Sequence, residues 1–174
     1  MPMIFQIIAG TPWWVWILFL FLLWIGIRAL KTSIAPFWRL LILPTVFFVW
    51  GVVGVVMRYP ITATSLGLWL IAFAFGVGLG VLTAANTAVR ADRSHRLIEI
   101  PGNKFTLVLI LVIFVTKYAF GVLQGMQPGI VADPRYFVAD LGVSGLLAGM
   151  WAGRLVGIWR KYRAAPQEDL KTAA

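Results

Sequence analysis

Residues 65–87 read SLGLWLIAFAFGVGLGVLTAANT, 23 residues without a single charge. About 20 apolar residues, each rising 1.5 Å, span the roughly 30 Å hydrocarbon core of a bilayer. Lipid offers no partner to an unpaired backbone group, so a separate segment of this kind crosses as a helix. Working outward, four further apolar runs cover residues 11–27, 40–57, 105–126 and 141–159. Their breaks are chemically sensible. Arg28, Lys31, Pro36 and Arg39 separate the first two runs, and Arg58-Tyr59-Pro60 ends the second. A polar connection, residues 90–104, contains Pro101-Gly102-Asn103, and Pro128, Gly129, Asp133 and Pro134 mark the next. Pro and Gly stop helices, and charges stay in water.

Composition agrees. Of 174 residues, 61% are hydrophobic and 12% charged, against about 45–50% and about 25% in soluble domains. The expected fold class is an all-α integral membrane protein, a five-transmembrane-helix bundle forming one domain over residues 1–163, with a flexible polar cytoplasmic tail over 164–174. The first run has no basic residues before it and no small-x-small site after it, so it reads as a retained helix and not as a signal peptide. Residues 1–10, apolar and uncharged, are expected along the outer surface before Pro12 turns the chain inward.

The cations give the orientation. Arg28, Lys31, Arg39, Arg90, Arg93, Arg96, Lys104, Arg160, Lys161, Arg163 and Lys171 fall on one set of alternating connections, and only Arg58 and Arg135 on the other. Positive residues are retained on the cytoplasmic side. The N-terminus is therefore expected outside and the C-terminus in the cytoplasm of a bacterial inner membrane. Trp13, Trp14, Tyr59 and Tyr136 would form the outer aromatic belt, and Trp38, Trp159 and Tyr162 the inner one. The net charge of +9 then belongs to topology and to anionic lipid headgroups, not to nucleic acid. The partners expected are membrane lipids and a homodimer or larger membrane complex.

Two cations remain inside the runs, Lys117 and Arg154. Lys117, followed by Tyr118, sits near the middle of the fourth run. An ammonium there is costly and faces the bundle, water or a partner. It reads as a lysine that snorkels or bonds nearby carbonyls, Tyr118 or Gln124, or as a proton- or anion-handling site, with Asp140 the nearest acid. Arg154 reaches the inner headgroups, or forms a pocket with Thr83 and Asn86 suited to a small anion or headgroup. Small residues also recur every four positions. Gly145, Gly149, Gly153 and Gly157 form one stripe, and Ala72, Gly76, Gly80 and Ala84 another. Such stripes let helices approach closely, within one chain or at a homodimer seam.

Catalytic residues, metals and cofactors are not expected. The absence of cysteine excludes disulfides, thiolate sites and c-type haem attachment, and a single histidine excludes a paired-histidine haem within one chain. His95 lies with Asp92 and Glu99 in the 90–104 connection, whose second half alternates enough for a short strand or hairpin, but ligand number and spacing are poor for a metal. The connection reads as a solvated basic loop.

Several of these residues carry a family resemblance. Val89-Arg90-Ala91-Asp92-Arg93, Arg96 to Gly102, Leu107 to Ile110, Lys117 to Gly121 and the opening Gly10-Thr11-Pro12-Trp13 resemble a family of small bacterial inner-membrane proteins, the domain of unknown function 6622. The resemblance implies the same architecture and carries no activity. More distantly, the Arg-containing loop between the third and fourth runs is similar to that of CcdC-type membrane proteins linked to cytochrome c biogenesis, which implies fold alone.

Overall fold

The computed structural model describes residues 10–170; most of the N-terminal surface segment expected above, and Lys171, lie outside them. In chain order the elements are α1 (Trp13–Arg28), β1 (Ser33–Pro36), α2 (Arg39–Arg58), α3 (Ala63–Ala85), β2 (Arg90–Asp92), β3 (Leu97–Ile100), α4 (Lys104–Met126), a 3-10 turn (Pro128–Ala132) and α5 (Pro134–Ala164). α2, α3, α4 and α5 are long and apolar enough to cross a membrane. α1 is apolar but has 16 residues, about 24 Å at 1.5 Å per residue. The chain divides into two compact units, Met1–Lys31 with Gly102–Ile130, and Thr32–Pro101 with Val131–Ala174.

In the first unit α1 and α4 run antiparallel. At one end the Asn103 N–H donates to Ala29 O at 2.9 Å, and Gly102 lies so close to the Leu30 carbonyl that a Cβ would collide with it. The Asn103 side chain caps α4 by accepting from Phe105 N–H at 2.7 Å. Gly26 admits Leu107, and further along Phe19 packs on Phe114, ring centroids 4.8 Å apart. At the far end Thr11 and Tyr118 share a hydrogen bond of 2.7 Å.

The second unit is built on α5. Along one side lies α3, running parallel. Gly145 meets the carbonyl of Trp69, Gly149 that of Phe73, Gly153 that of Val77, and Gly157 the Ala84 side chain. Gly76 and Gly80 answer from α3 against the backbone of Leu146 and Met150. Both helices are in backbone contact, which only residues without Cβ permit. α2 runs antiparallel to α5. Gly51 faces Ser144 and Ala148, and Tyr59 packs edge-on against Phe137 at 5.0 Å. The outward faces stay apolar; Ile71, Phe75 and Leu82 of α3 are about two-thirds or more exposed. An apolar surface of that extent needs an apolar neighbour.

Capping chemistry moves two helix starts. α5 begins at Pro134, not near 141, because Asp133 accepts from Arg135 N–H at 2.7 Å and Pro134 presets the first turn. α3 begins at Ala63 because Thr62 and Ser65 form a reciprocal capping box. Tyr59 and Tyr136, expected at an aromatic belt, are each 6% exposed and turn inward: the first reaches a buried carboxylate described below, and both rings are removed from the surface.

The connection at 90–104 is more than a solvated loop. β2 and β3 form a hairpin, with Ala91 opposite Ile98, and β1 adds antiparallel on the other side, with Ala35 opposite Ile98. Arg96 closes the hairpin in the left-handed region, φ 56°, and its carbonyl accepts from Phe37 N–H. The inner face of this sheet seats Ile98, fully buried, against Ala84 and Ile158. The sheet therefore closes the end of the second unit where α2 starts and α3 and α5 finish.

The contact between α3 and α5 generates a prediction of sign. Gly149→Ala forces a methyl into Phe73 backbone and is expected to lower the melting temperature in detergent, at a cost of about 1–3 kcal/mol. Gly142→Ala, where a Cβ meets nothing within 4 Å, is expected to be neutral or stabilising by up to about 1 kcal/mol.

Candidate functional site

The polar groups of the second unit gather in three places along α5. At its start, Asp140 is buried, and its Oδ2 accepts from Arg58 Nη1 and from the Tyr59 hydroxyl, each at 3.1 Å. Arg58 and Tyr59 end α2 at the level where α5 begins. The acid expected to be nearest in depth to Lys117 is thus engaged by a cation and a phenol from its own unit.

Towards the other end, Arg154 is 4% exposed. It does not reach outward to headgroups. Its guanidinium lies 3.5 Å from the carbonyl of Thr83, one of the carbonyls left without a partner at the end of α3. About two turns on, Lys161 Nζ donates to the carbonyls of Ala85 and Thr87. Cations at a helix C-terminus satisfy its free carbonyls and oppose its dipole. Thr83 returns its hydroxyl to Gly80 O at 2.7 Å, and Asn86, the C-cap, is exposed. The structure therefore joins Arg154 to Thr83 through the main chain and leaves the Asn86 side chain at the surface. Asp140 and Arg154 are 14 positions apart on one helix, about 21 Å at 1.5 Å per residue, and form two centres. Lys117 and Tyr118 belong to the first unit. Lys117 is half-buried in mid-α4, and Tyr118 is bonded to Thr11.

The third centre is the densest. Asp92, at the end of β2, is fully buried. Its Oδ1 accepts from Ser94 Oγ at 2.5 Å, His95 N–H at 3.1 Å and Gln167 Nε2 at 2.9 Å. Its Oδ2 faces His95 Nδ1 at 2.8 Å and accepts from Leu170 N–H at 3.2 Å. The Ser94 hydroxyl does most to hold this carboxyl well below the usual carboxylate range; burial opposes it, and the His95 ring, the His95 N–H and the Leu170 N–H add to the lowering. The tail continues the arrangement. Gln167 pairs with Ala91 as a parallel bridge, and Glu168 N–H donates to Ala91 O at 3.0 Å. Gln167 Oε1 accepts from Arg93 N–H at 2.9 Å, and the Arg93 guanidinium donates to the Ala165 carbonyl. Arg90 spans Glu168 at 2.6 Å and Glu99 at 2.9 Å; the Glu168 bond and charge, then Glu99, raise its pKa.

Gln167, Glu168 and Leu170, within the tail expected to be flexible from 164 onward, are consequently bonded to the sheet and hairpin. Leu170 is fully buried, which contributes about 1.5–3 kcal/mol, and exposed ion pairs such as Arg90 with Glu168 add little beside it. Of six acidic residues in the chain, Asp92, Glu99, Glu168 and Asp169 all fall in the hairpin and tail, so negative charge is concentrated where it tethers chain segments. Asp92, His95 and Asp169 bring one ligand-type atom each within 4.8 Å of one another. The lone pairs of Asp92 are already directed at protein donors, two of them backbone N–H groups, so the set fits a hydrogen-bonded junction better than a cation.

A family model described as a family of unknown function (DUF6622) matches residues 1–167. The chain belongs to that family. The DUF6622 match takes in every helix, the sheet and the tail as far as Gln167. No curated protein and no solved structure matches the chain.

Sequence reasoning missed the roles of Arg58, Tyr59, Gln167 and Leu170. A signal existed for the tail, because Gln-Glu-Asp follows the cations Arg160, Lys161 and Arg163 in a chain otherwise poor in acids.

The lowered pKa of Asp92 fixes the sign of a pH response. The contribution of its charged form is present above the ordinary carboxylate value of about 4 and is lost as pH falls through the depressed folded value. Protection of the Glu168 and Leu170 amides from hydrogen exchange, relative to the intrinsic rate at each pH, is expected to hold from about pH 8 down to about pH 5 and to fall only in stronger acid. Asp92→Ala is expected to make both amides exchange fast throughout.

Proposed function

We propose that this chain is a multi-pass protein of the bacterial inner membrane that crosses five times, with its N-terminus outside and its C-terminus in the cytoplasm. We further propose that it acts without catalysis, as an accessory component that binds a partner, a lipid or another small molecule at its cytoplasmic end. The observation that carries this reading is the junction at Asp92. Its acids and cations are spent on holding a sheet and a tail together, which suits a binding platform better than a proton-transfer site.

The crossings have structural support. α3 and α5 lie parallel in one unit, so the residues between them bring the chain back across, and this stretch contains α4. α1 is antiparallel to α4. The cation count supports this orientation, since eleven of fifteen Lys and Arg fall on the connections read as cytoplasmic. Arg28, Arg39 and Arg163 each lie over a tryptophan ring, Trp24, Trp38 and Trp159, at 5.0, 5.7 and 5.0 Å. Paired Arg and Trp suit an interface with anionic headgroups. An assembly with a second copy or a larger complex fits the exposed apolar faces.

A transport reading draws on one observation, a half-buried Lys117 in the middle of an apolar helix. It describes a small secondary transporter or channel, a homodimer with Lys117 and Arg154 along its path. One measurement tests the crossings and a second separates the readings. Reporter tags on the two ends are expected on opposite sides of the membrane; the same side would overturn the odd number of crossings. Proteoliposomes are expected to show no ion flux above that of protein-free vesicles, whereas flux lost in Lys117→Met with expression retained would establish transport.

A further inference from the structure

The tail pairs with the edge of β2 through a parallel bridge, Gln167 opposite Ala91. Binding of an extended segment at a sheet edge draws affinity from main-chain bonds and specificity from side chains, and the bridge supplies one main-chain bond and three side chains that are read. The Glu168 N–H to Ala91 O bond supplies the main-chain contact. The Gln167 amide is read at both ends, its Oε1 by Arg93 N–H and its Nε2 by Asp92. Glu168 meets Arg90, and Leu170 is buried whole while its N–H reaches Asp92. The edge thus distinguishes an amide side chain, an acidic residue next to it, and a leucine three positions after the amide.

The tail is also separable from the helix that carries it. α5 stops at Ala164, Ala165 is extended at φ −63° and ψ 145°, and Pro166 cannot continue a helix. The tail can leave the sheet without unwinding any of α5.

We propose that the β2 edge is a docking slot for an extended segment of a partner protein with this pattern, and that the chain's own tail holds the slot closed in cis. Charge complementarity selects the occupant. Arg90 and Arg93 flank the slot, so an acidic segment is favoured and a basic one opposed. A tail on a short hinge competes at an effective concentration of about millimolar, so an external segment binds well only where the cis tail is weakened. The proposal deepens the accessory-component reading and rests on it for the side of the membrane on which the partner lies; the binding itself is measured in detergent and does not depend on topology.

The test uses a fluorescent peptide of residues 164–174 and anisotropy with the full-length protein in detergent. Leu170→Ser removes the buried anchor of the cis tail, and Gln167→Ala in the chain is a second opener should the first fail to fold. The peptide is expected to bind either opened variant at least about tenfold more tightly than the wild type. The same peptide carrying Gln167→Ala is expected to lose that gain. Equal binding to wild type and to both opened variants, or a gain kept by the substituted peptide, would overturn the proposal. A wild-type protein that exchanges tails between copies and runs as a dimer would also overturn it, by making a second copy the occupant. Tags on the same side of the membrane would sink the topology and leave the peptide result standing.

Discussion

Backbone contact between α3 and α5 is the constraint on which the second unit depends. Six glycines, Gly76 and Gly80 on one helix and Gly145, Gly149, Gly153 and Gly157 on the other, remove the side-chain layer that would otherwise keep the helices apart. In lipid the apolar surroundings give no net drive for helices to associate, so close van der Waals contact has to supply it. The stripe fixes direction as well as distance, because matched positions advance together along both helices. A parallel pair cannot be joined by a tight turn, and the chain between them has to travel the length of the pair and return.

With that pair set, α5 acts as the spine. It has 31 residues, about 46 Å at 1.5 Å per residue, more than a bilayer core requires. One end carries the ion pair of Asp140 with Arg58, which ties α2 alongside. The other carries Arg154 and Lys161 to the closing carbonyls of α3, then passes into the tail. Buried charges are tolerated when they are paired or when they satisfy groups that would otherwise be stranded, and both conditions are met here. The cations inside the apolar part of this unit therefore have structural partners.

Much of this was legible from residues alone. Hydropathy located α2, α3 and α4 to within a few residues, because a long uncharged run has few alternatives to a helix. α3 and α5 meet at small residues that recur every four positions. Helix starts were less legible, because Asp133-Pro134 and Thr62-Ser65 act through local caps that precede the apolar run. β1 was not legible. Four residues ending in proline look like a linker, and their pairing with β3 spans more than sixty positions of chain. The hairpin of β2 and β3 showed only as alternation. The junction at Asp92 was hidden for the same reason as β1, since Gln167 and Leu170 are distant in sequence and carry no motif. Tyr59 and Tyr136 misled because an aromatic at the end of an apolar run usually marks an interface, whereas Tyr59 here reaches an acid that only the fold brings near.

The absence of cysteine in the chain makes the parallel contact of α3 and α5 directly measurable with pairs of spin labels on cysteines placed away from the glycines. Leu66 and Leu82 on α3 and Val138 and Val156 on α5 are exposed, so labels there leave the close-packed stripe untouched. Labels at 66 and 138, and at 82 and 156, are expected to lie closer together than the crossed pairs, 66 with 156 and 82 with 138, which differ by about 16–18 positions along a helix, about 24–27 Å at 1.5 Å per residue. Crossed pairs as close as the straight ones, or closer, in the folded protein would contradict a parallel α3 and α5.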